Sequence, residues 1–324
     1  MMNNTIYIAG HKGMVGSAIW RLLKSKNYDV IGKSSKEMDL KNYDKVFDFL
    51  KKTRPSFVII SAAKVGGIVA NKERPYSFIM ENLLIQNNLI RASYELGLEN
   101  LIFLGSSCIY PKNSKQPIKE DYLLNGPLEE TNESYAVAKI AGIKLIESIR
   151  KESNLNYFSL MPCNLYGPRD NFDYESSHVI PGLLRKFHDA KINGYSSLNL
   201  WGTGEPLREF LHVNDLADAI YFCIKNRIQH SVINVGSGNE ISIKKLANMI
   251  KKITHFKGEI LWDKTKPDGT YRKLLDNSRV NSLGWDSKID LNEGLNHTYK
   301  WFIDNYDTLK INTNCSGRQR QAIM

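Results

Sequence analysis

Tyr135 and Lys139 close the stretch Tyr135-Ala-Val-Ala-Lys139, and residues four apart share one face of a helix. Two stretches upstream complete a chemical set. One is the glycine turn Gly10-His11-Lys12-Gly13-Met14-Val15-Gly16, the other the hydroxyl run Gly105-Ser106-Ser107-Cys108-Ile109-Tyr110-Pro111. A phenol, an ammonium and a serine hydroxyl facing one point can polarise a carbonyl oxygen beside a bound nicotinamide. Hydride transfer is the chemistry this set suggests first. A free phenol has a pKa of about 10, so a proton donor at neutral pH is expected to have a cation nearby that lowers it. Lys139 is placed for that and for holding a cofactor ribose, while Ser106 or Ser107 would hydrogen-bond the same substrate oxygen.

Cys108 follows the serines directly. A thiolate there can take a proton from a carbon next to a ketone, because the ketone stabilises the enolate that results. Epimerisation by that route needs an acid on the opposite face, a role histidine suits near neutrality. His178, at the start of the helix expected to open the second half of the chain, is the candidate.

The elements that must position these groups alternate strand with helix. Strands are expected at 5–9, 28–31, 57–60, 101–104 and 157–161. Helices are expected from the glycine turn to about 24, then at 44–51, 76–96 and 134–153. This alternation implies a parallel sheet with helices on both faces. After Pro168 the rhythm breaks: 169–177 reads as a polar loop, 178–191 as a helix and 198–201 as a strand. Residues 216–225 and 232–235 read as a helix and a strand that return to the sheet. Helices at 241–254 and 291–306 follow, and the polar segment from 310 reads as a loose tail. The fold class expected is α/β, a Rossmann-type doubly wound parallel sheet with a smaller mixed α/β C-terminal substrate domain. Residues 1–168 with 211–236 would form the cofactor half, and 169–210 with 237–309 the substrate half.

The glycines stand between the first strand and the first helix. There the first permits a tight turn, the second lets backbone approach a pyrophosphate, and the third lets helix pack on strand. The helix N-terminus offers amides to an anion. NAD binding usually places an acid about 20 residues past the first glycine, at the end of the second strand. Residues 31–36 contain no carboxylate. Lys33, Ser34, Ser35 and Lys36 suit a 2′-phosphate instead, so NADP(H) is the cofactor expected.

Composition fits such an enzyme. The chain has 324 residues, 42% hydrophobic and 24% charged, enough for a substantial core. Its net charge of +10 accords with anionic ligands such as nucleotide phosphates. Neither zinc-finger spacing nor aromatic–basic interleaving points to nucleic acid, no apolar run approaches a membrane span, and no secretory leader pattern opens the sequence. The four cysteines, Cys108, Cys163, Cys223 and Cys315, lack CxxC or disulfide-framework spacing, which suggests a cytoplasmic setting and no metal.

Further motifs extend the pattern: Ala62-Ala-Lys-Val-Gly-Gly-Ile-Val-Ala-Asn71, Asn164-Leu-Tyr-Gly-Pro168, Ser177-His-Val-Ile-Pro181, Arg208-Glu-Phe-Leu-His212, Lys266-Pro-Asp-Gly269 and Arg272-Lys-Leu-Leu-Asp276. With the three stretches above, they make residues 5–306 resemble the GDP-L-fucose synthase family, GDP-4-keto-6-deoxy-mannose 3,5-epimerase-4-reductases among the extended short-chain dehydrogenases. The resemblance implies Tyr135 as proton donor to the C4 oxygen, Lys139 as its partner, Ser106 as the catalytic hydroxyl, and Cys108 and His178 as epimerisation base and acid. It implies cofactor contacts at the glycine turn, at Leu104, Gly105, Ser106 and Ser107, at Pro162, Cys163, Asn164 and Leu165, and at His178. Lys186, Trp201, Arg208 and Asp268 would hold the GDP-sugar, with Lys273 in a motif near that site. A homodimer is implied by the same analogy. Lys186 stands where arginine is common in the family, and Cys163 replaces a small hydroxyl residue.

Sugar-nucleotide 4,6-dehydratases of the wider superfamily carry acidic residues just after the catalytic hydroxyl; their absence here argues against dehydration. The neighbouring alternative is a 4-reductase, with or without epimerase activity, on a GDP-4-keto-6-deoxy-heptose. An NAD-dependent sugar 4-epimerase is opposed by Cys108 and by the missing second-strand acid. A cofactor-sensing module without catalysis would have no use for the Tyr135–Lys139 pair.

Overall fold

The computed structural model describes residues 4–266 and 268–309. The expected tail from 310, and Cys315 within it, lie outside the described residues. The first half reads β1 (Thr5–Ala9), α1 (Met14–Ser25), β2 (Asp29–Ile31), α2 (Tyr43–Thr53), β3 (Phe57–Ile60), α3 (Ile68–Glu73), α4 (Pro75–Glu95), β4 (Asn100–Leu104), α5 (Glu133–Glu152), β5 (Asn156–Pro162) and β6 (Asn164–Tyr166). The second reads α6 (Val179–Ile192), β7 (Ser197–Trp201), β8 (Leu207–His212), α7 (Val213–Lys225), β9 (Val232–Val235), β10 (Glu240–Ser242), α8 (Ile243–Thr254), β11 (Glu259–Asp263), β12 (Arg272–Lys273), α9 (Ser278–Ser282) and α10 (Leu291–Asp304).

Six parallel strands form the main sheet in the order β2-β1-β3-β4-β5-β9. β3, β5 and β9 are buried at every residue, as a sheet covered on both faces requires. Helix α1 packs with α7, and α4 packs with α2 and α5. The strand order reverses between β1 and β3, so their carboxyl ends open the crevice where doubly wound sheets take ligands. A second apolar core gathers Phe172, Leu184, Phe187, Leu246, Ile250, Phe256, Leu295 and Phe302 from the later helices and strands.

The fold departs from expectation mostly in the second half, with α3 and β6 as unexpected elements of the first. Leu207–His212 reads as no element in the sequence, yet β8 pairs with β6, β10 and β12. Its mixture of charged and apolar residues hides the period that usually marks a strand. The helix expected to begin at 216 starts at Val213, because the His212 ring accepts the Asn214 N–H at 3.2 Å and caps it. The helix expected from 241 starts at Ile243, because the Ser242 hydroxyl accepts the Lys245 N–H and leaves 240–242 to pair as a strand. α10 ends at Asp304, two residues before its expected end.

Candidate active site

The ends of β1, β3 and β4 and the starts of α1, α5 and α6 build the site. β1 runs into Gly10, whose φ of +86° suits glycine, and a Cβ there would lie 2.7 Å from the Ala62 amide nitrogen beyond β3. A Cβ on Gly16 would lie 2.2 Å from the Gly10 oxygen, so helix α1 can seat on β1 only with glycine there. At Gly13 a Cβ would find nothing closer than 3.5 Å. The chain itself does not demand that glycine, so the room is left to an outside group. α1 opens at Met14 with no acidic residue in its first turn, and the amides of Met14, Val15 and Gly16 lack partners within the helix. This cradle fits a dinucleotide pyrophosphate.

β4 ends at Leu104, and Gly105 passes so near Met161 that a Cβ would meet its sulfur at 2.3 Å. Ser106 then caps a 3-10 turn, Ser107–Ile109, its hydroxyl accepting the Cys108 N–H at 3.4 Å. Tyr110 fastens the far side of the turn to β9 through Asn234, at 2.6 Å. Helix α5 brings Tyr135 and Lys139 in its first two turns, and Lys139 Nζ donates to the Leu104 carbonyl at 2.8 Å. Cys108 interacts electrostatically with Tyr135, Lys139 and Lys273 and bonds with Ser106. Ser106, Cys108, Tyr135 and Lys139 therefore form one cluster, joined by Lys273.

The electrostatics amend one expectation. Burial, with Cys108 adding to it, pushes the Tyr135 phenol above its ordinary value rather than below it. Lys139 is turned to the Leu104 carbonyl, its nitrogen 5.7 Å from the Tyr135 ring centroid, and burial depresses its own pKa to about 8. Burial raises the Cys108 thiol as well, opposed by Lys273, by the Ser106 bond and by Lys139. His178 stands at the N-terminus of α6, where crowding holds its imidazole below the usual value although the residue is open to solvent, as on a cleft wall. The segment just before it is tied to the start of α3 by the Gly67 N–H bonding to the Ser176 carbonyl at 3.2 Å.

Lys139 yields a stability prediction. Its folded pKa of about 8 lies below the ordinary 10.5. Between those values the unfolded chain binds more protons, so stability rises with pH there; below about pH 8 the cost of the buried charge is present in full. The expected size is on the order of 3 kcal/mol. Denaturant titrations from pH 7 to 10 should show this rise in the native chain and a flatter profile for Lys139→Met.

The predicted sugar-nucleotide residues come from several elements: Lys186 from α6, Trp201 from β7, Arg208 from β8, Asp268 from the segment between β11 and β12, and Lys273 from β12. Register pairs Lys273 with Arg208, which links the thiol cluster to a second cationic side chain. Burial lowers the pKa of Arg208, Lys273 and Lys186, although each keeps some accessible surface, again as on a cleft wall. Trp201 is 64% exposed, and the ammonium groups of Lys186 and Lys266 stand 5.8 and 5.7 Å from its ring. Asp268 accepts the Thr203 N–H at 2.9 Å and the Thr203 hydroxyl at 2.6 Å, so it braces the loop after Trp201. In the segment expected to contact the cofactor, Pro162 pairs with Val235, the Cys163 N–H bonds to the Val235 carbonyl, and Asn164 donates to the Glu209 carbonyl at 2.8 Å; Leu165 pairs with Leu211. Cys163 is buried, its thiol raised well above the usual value by burial.

Beyond β2 the structure adds a residue that sequence reading missed. Residues 31–36 hold no carboxylate, but Glu37 folds back over them and takes bonds from Ser34, with Lys33 alongside. The Ser34-x-x-Glu37 spacing, a capping-box pattern, was the available signal. Lys33 and Ser34 are thus engaged within the chain, while Ser35 and Lys36 are exposed. Lys266 was likewise missed as a neighbour of Trp201.

Comparison with known proteins accords with this geometry. Residues 6–236 match the model of the NAD dependent epimerase/dehydratase family. A GDP-L-fucose synthase of Sinorhizobium fredii is 52% identical over 300 residues, covering 93% of this chain and 96% of the relative. Among solved structures, a GDP-6-OMe-4-keto-L-xylo-heptose reductase from C. jejuni superposes with a TM-score of 0.88 at 37% identity, covering 94% of this chain and 99% of that one. A GDP-L-fucose synthetase from Naegleria fowleri bound to NADP gives 0.88 at 30% identity, covering 95% of each.

Proposed function

The chain belongs to the NAD-dependent epimerase/dehydratase family as an NADP-dependent enzyme of the GDP-L-fucose synthase type, and from that premise we propose that it performs both 3,5-epimerisation and 4-keto reduction of a GDP-4-keto-6-deoxy-hexose, giving GDP-L-fucose. The observation that carries this reading is the union of Cys108 with Ser106, Tyr135 and Lys139 in one cluster. A reductase alone has no use for a thiol at the carbonyl site.

The substrate ketone oxygen is held by the Tyr135 and Ser106 hydroxyls. Cys108, having lost its proton to solvent, takes the proton from C3; the C–H electron pair moves into the C3–C4 bond and the carbonyl pair onto oxygen. The enolate so formed keeps its charge on the oxygen that Tyr135 and Ser106 hold. Protonated His178 returns a proton to C3 from the other face. Cys108 then gives its proton to solvent, His178 takes one up, and the cycle repeats at C5. When bound, NADPH supplies the hydride for C4. As the C4 oxygen becomes an alkoxide, Tyr135 gives it a proton and is reprotonated from solvent. An alkoxide is basic enough to take a proton even from a phenol of raised pKa, so the reaction does not depend on acidifying Tyr135 beforehand.

Lys139 fixes the end of β4 and presents a cation near Tyr135, where it would also hold the ribose of a bound cofactor. Arg208 and Lys186 neutralise the GDP diphosphate, and Trp201 covers a sugar or base face. In this reading residues 1–168 with 211–236 serve the cofactor, and 169–210 with 237–309 serve the sugar nucleotide. The enzyme works in the cytoplasm as a homodimer. Among the described residues no helix is long and apolar enough to cross a membrane, and Tyr76, Met80 and Leu84 of α4 with Val137 of α5 leave apolar side chains exposed.

The likeness to the heptose reductase favours one other reading, a 4-reductase on a GDP-4-keto-6-deoxy-heptose. NADPH oxidation with GDP-4-keto-6-deoxy-mannose and with the heptose analogue decides between them. The hexose should turn over at least tenfold faster by kcat/KM; a preference for the heptose would reverse the assignment.

A further inference from the structure

The loop after β2 already holds an anion. Glu37 Oε2 accepts the Ser34 backbone N–H at 2.8 Å and the Ser34 hydroxyl at 2.6 Å, and Lys33 Nζ stands 3.6 Å from Oε1. The loop also presses against the glycine turn, since a Cβ on Gly32 would lie 2.5 Å from the His11 ring. His11 Nδ1 is buried there without a hydrogen-bond partner. The Lys12 ammonium acts on Glu37, and Glu37 acts on the His11 ring. A backbone amide, a hydroxyl and two ammonium groups are the donors expected for a phosphate. They stand at the end of the second strand, where a dinucleotide's adenosine ribose sits.

We propose that Glu37 is a built-in occupant of the 2′-phosphate position, and that its competition with that phosphate sets the preference between NADPH and NADH. The inference rests on the NADP(H) reading and adds the residue that tunes it. With NADPH, the phosphate takes over Ser34, Lys33 and Lys12, and the carboxylate must swing aside. With NADH, the carboxylate stays and accepts a ribose hydroxyl. Glu37 is exposed, so displacing it disturbs no core packing.

Glu37→Gln keeps the side-chain length and an acceptor oxygen for Ser34 while removing one charge. Fluorescence titration of the full chain with NADPH and with NADH gives both dissociation constants. The ratio of the NADH to the NADPH constant should rise about tenfold, the effect of deleting one like charge near contact distance in a solvated site. A ratio that stays the same or falls overturns the proposal. A native chain that binds neither nucleotide would instead overturn the NADP(H) reading, so the two failures are distinguishable.

Discussion

Cys108→Ser, incubated in D2O with GDP-4-keto-6-deoxy-mannose, should leave protium at C3 and C5, with exchange slowed by at least two to three orders of magnitude. The reason is the acid strength of the group. A positioned base contributes about 10²–10⁴ in rate when its pKa suits the task, and a serine hydroxyl ionises far less readily than a thiol. Burial outweighs its neighbours and keeps the Cys108 thiol above its ordinary value, yet those neighbours favour its anion. Burial alone raises the thiol, while Lys273, the Ser106 bond and Lys139 all pull it down. None of these contacts turns serine into a comparable base. Because the substitution is close to isosteric, NADPH binding should be unchanged. Deuterium appearing at C3 and C5 at the native rate would remove Cys108 from the epimerisation step.

Tyr135→Phe should lower kcat for NADPH oxidation by about 10²–10⁴, with less effect on exchange at C3 and C5. The hydroxyl is the only group proposed to pass a proton to the C4 oxygen. The enolate of the earlier step needs hydrogen bonds but no transferred proton, and Ser106 still supplies one. The ring carries the contacts with Lys139, 5.7 Å away, so phenylalanine preserves the packing of α5. An equal loss in both reactions would mean that the phenol acts on binding rather than on proton transfer. The pair of variants therefore divides the site into two functions sharing one oxygen.

Much of this could be read from residues alone, for definable reasons. The main sheet was legible because its strands are largely apolar runs between glycine or polar breaks, as in Phe57–Ile60 and residues 101–104. The cluster of Ser106, Cys108, Tyr135 and Lys139 was legible because its residues lie at a strand end and one helical turn apart, geometry that local spacing determines. What stayed hidden depends on register between distant segments. β8 becomes a strand only by pairing with β6, β10 and β12, and the pairing of Lys273 with Arg208 is a product of that assembly. The expectation that Lys139 acidifies Tyr135 failed because spacing fixes a shared face, not where an ammonium points; here it turns to the Leu104 carbonyl. Glu37 escaped because it stands one residue past the segment 31–36 that ends the second strand, and only its fold back onto Ser34 brings it there.

The measurement that bears most directly on a single oxygen-holding site serving two reactions is one turnover of the native enzyme in D2O. GDP-4-keto-6-deoxy-mannose and stoichiometric NADPH would be supplied and the product read by NMR. The expected product carries deuterium at C3 and C5 and protium at C4, with one NADPH oxidised per sugar. A reduced product retaining protium at C3 and C5 would contradict the account and leave a 4-reductase.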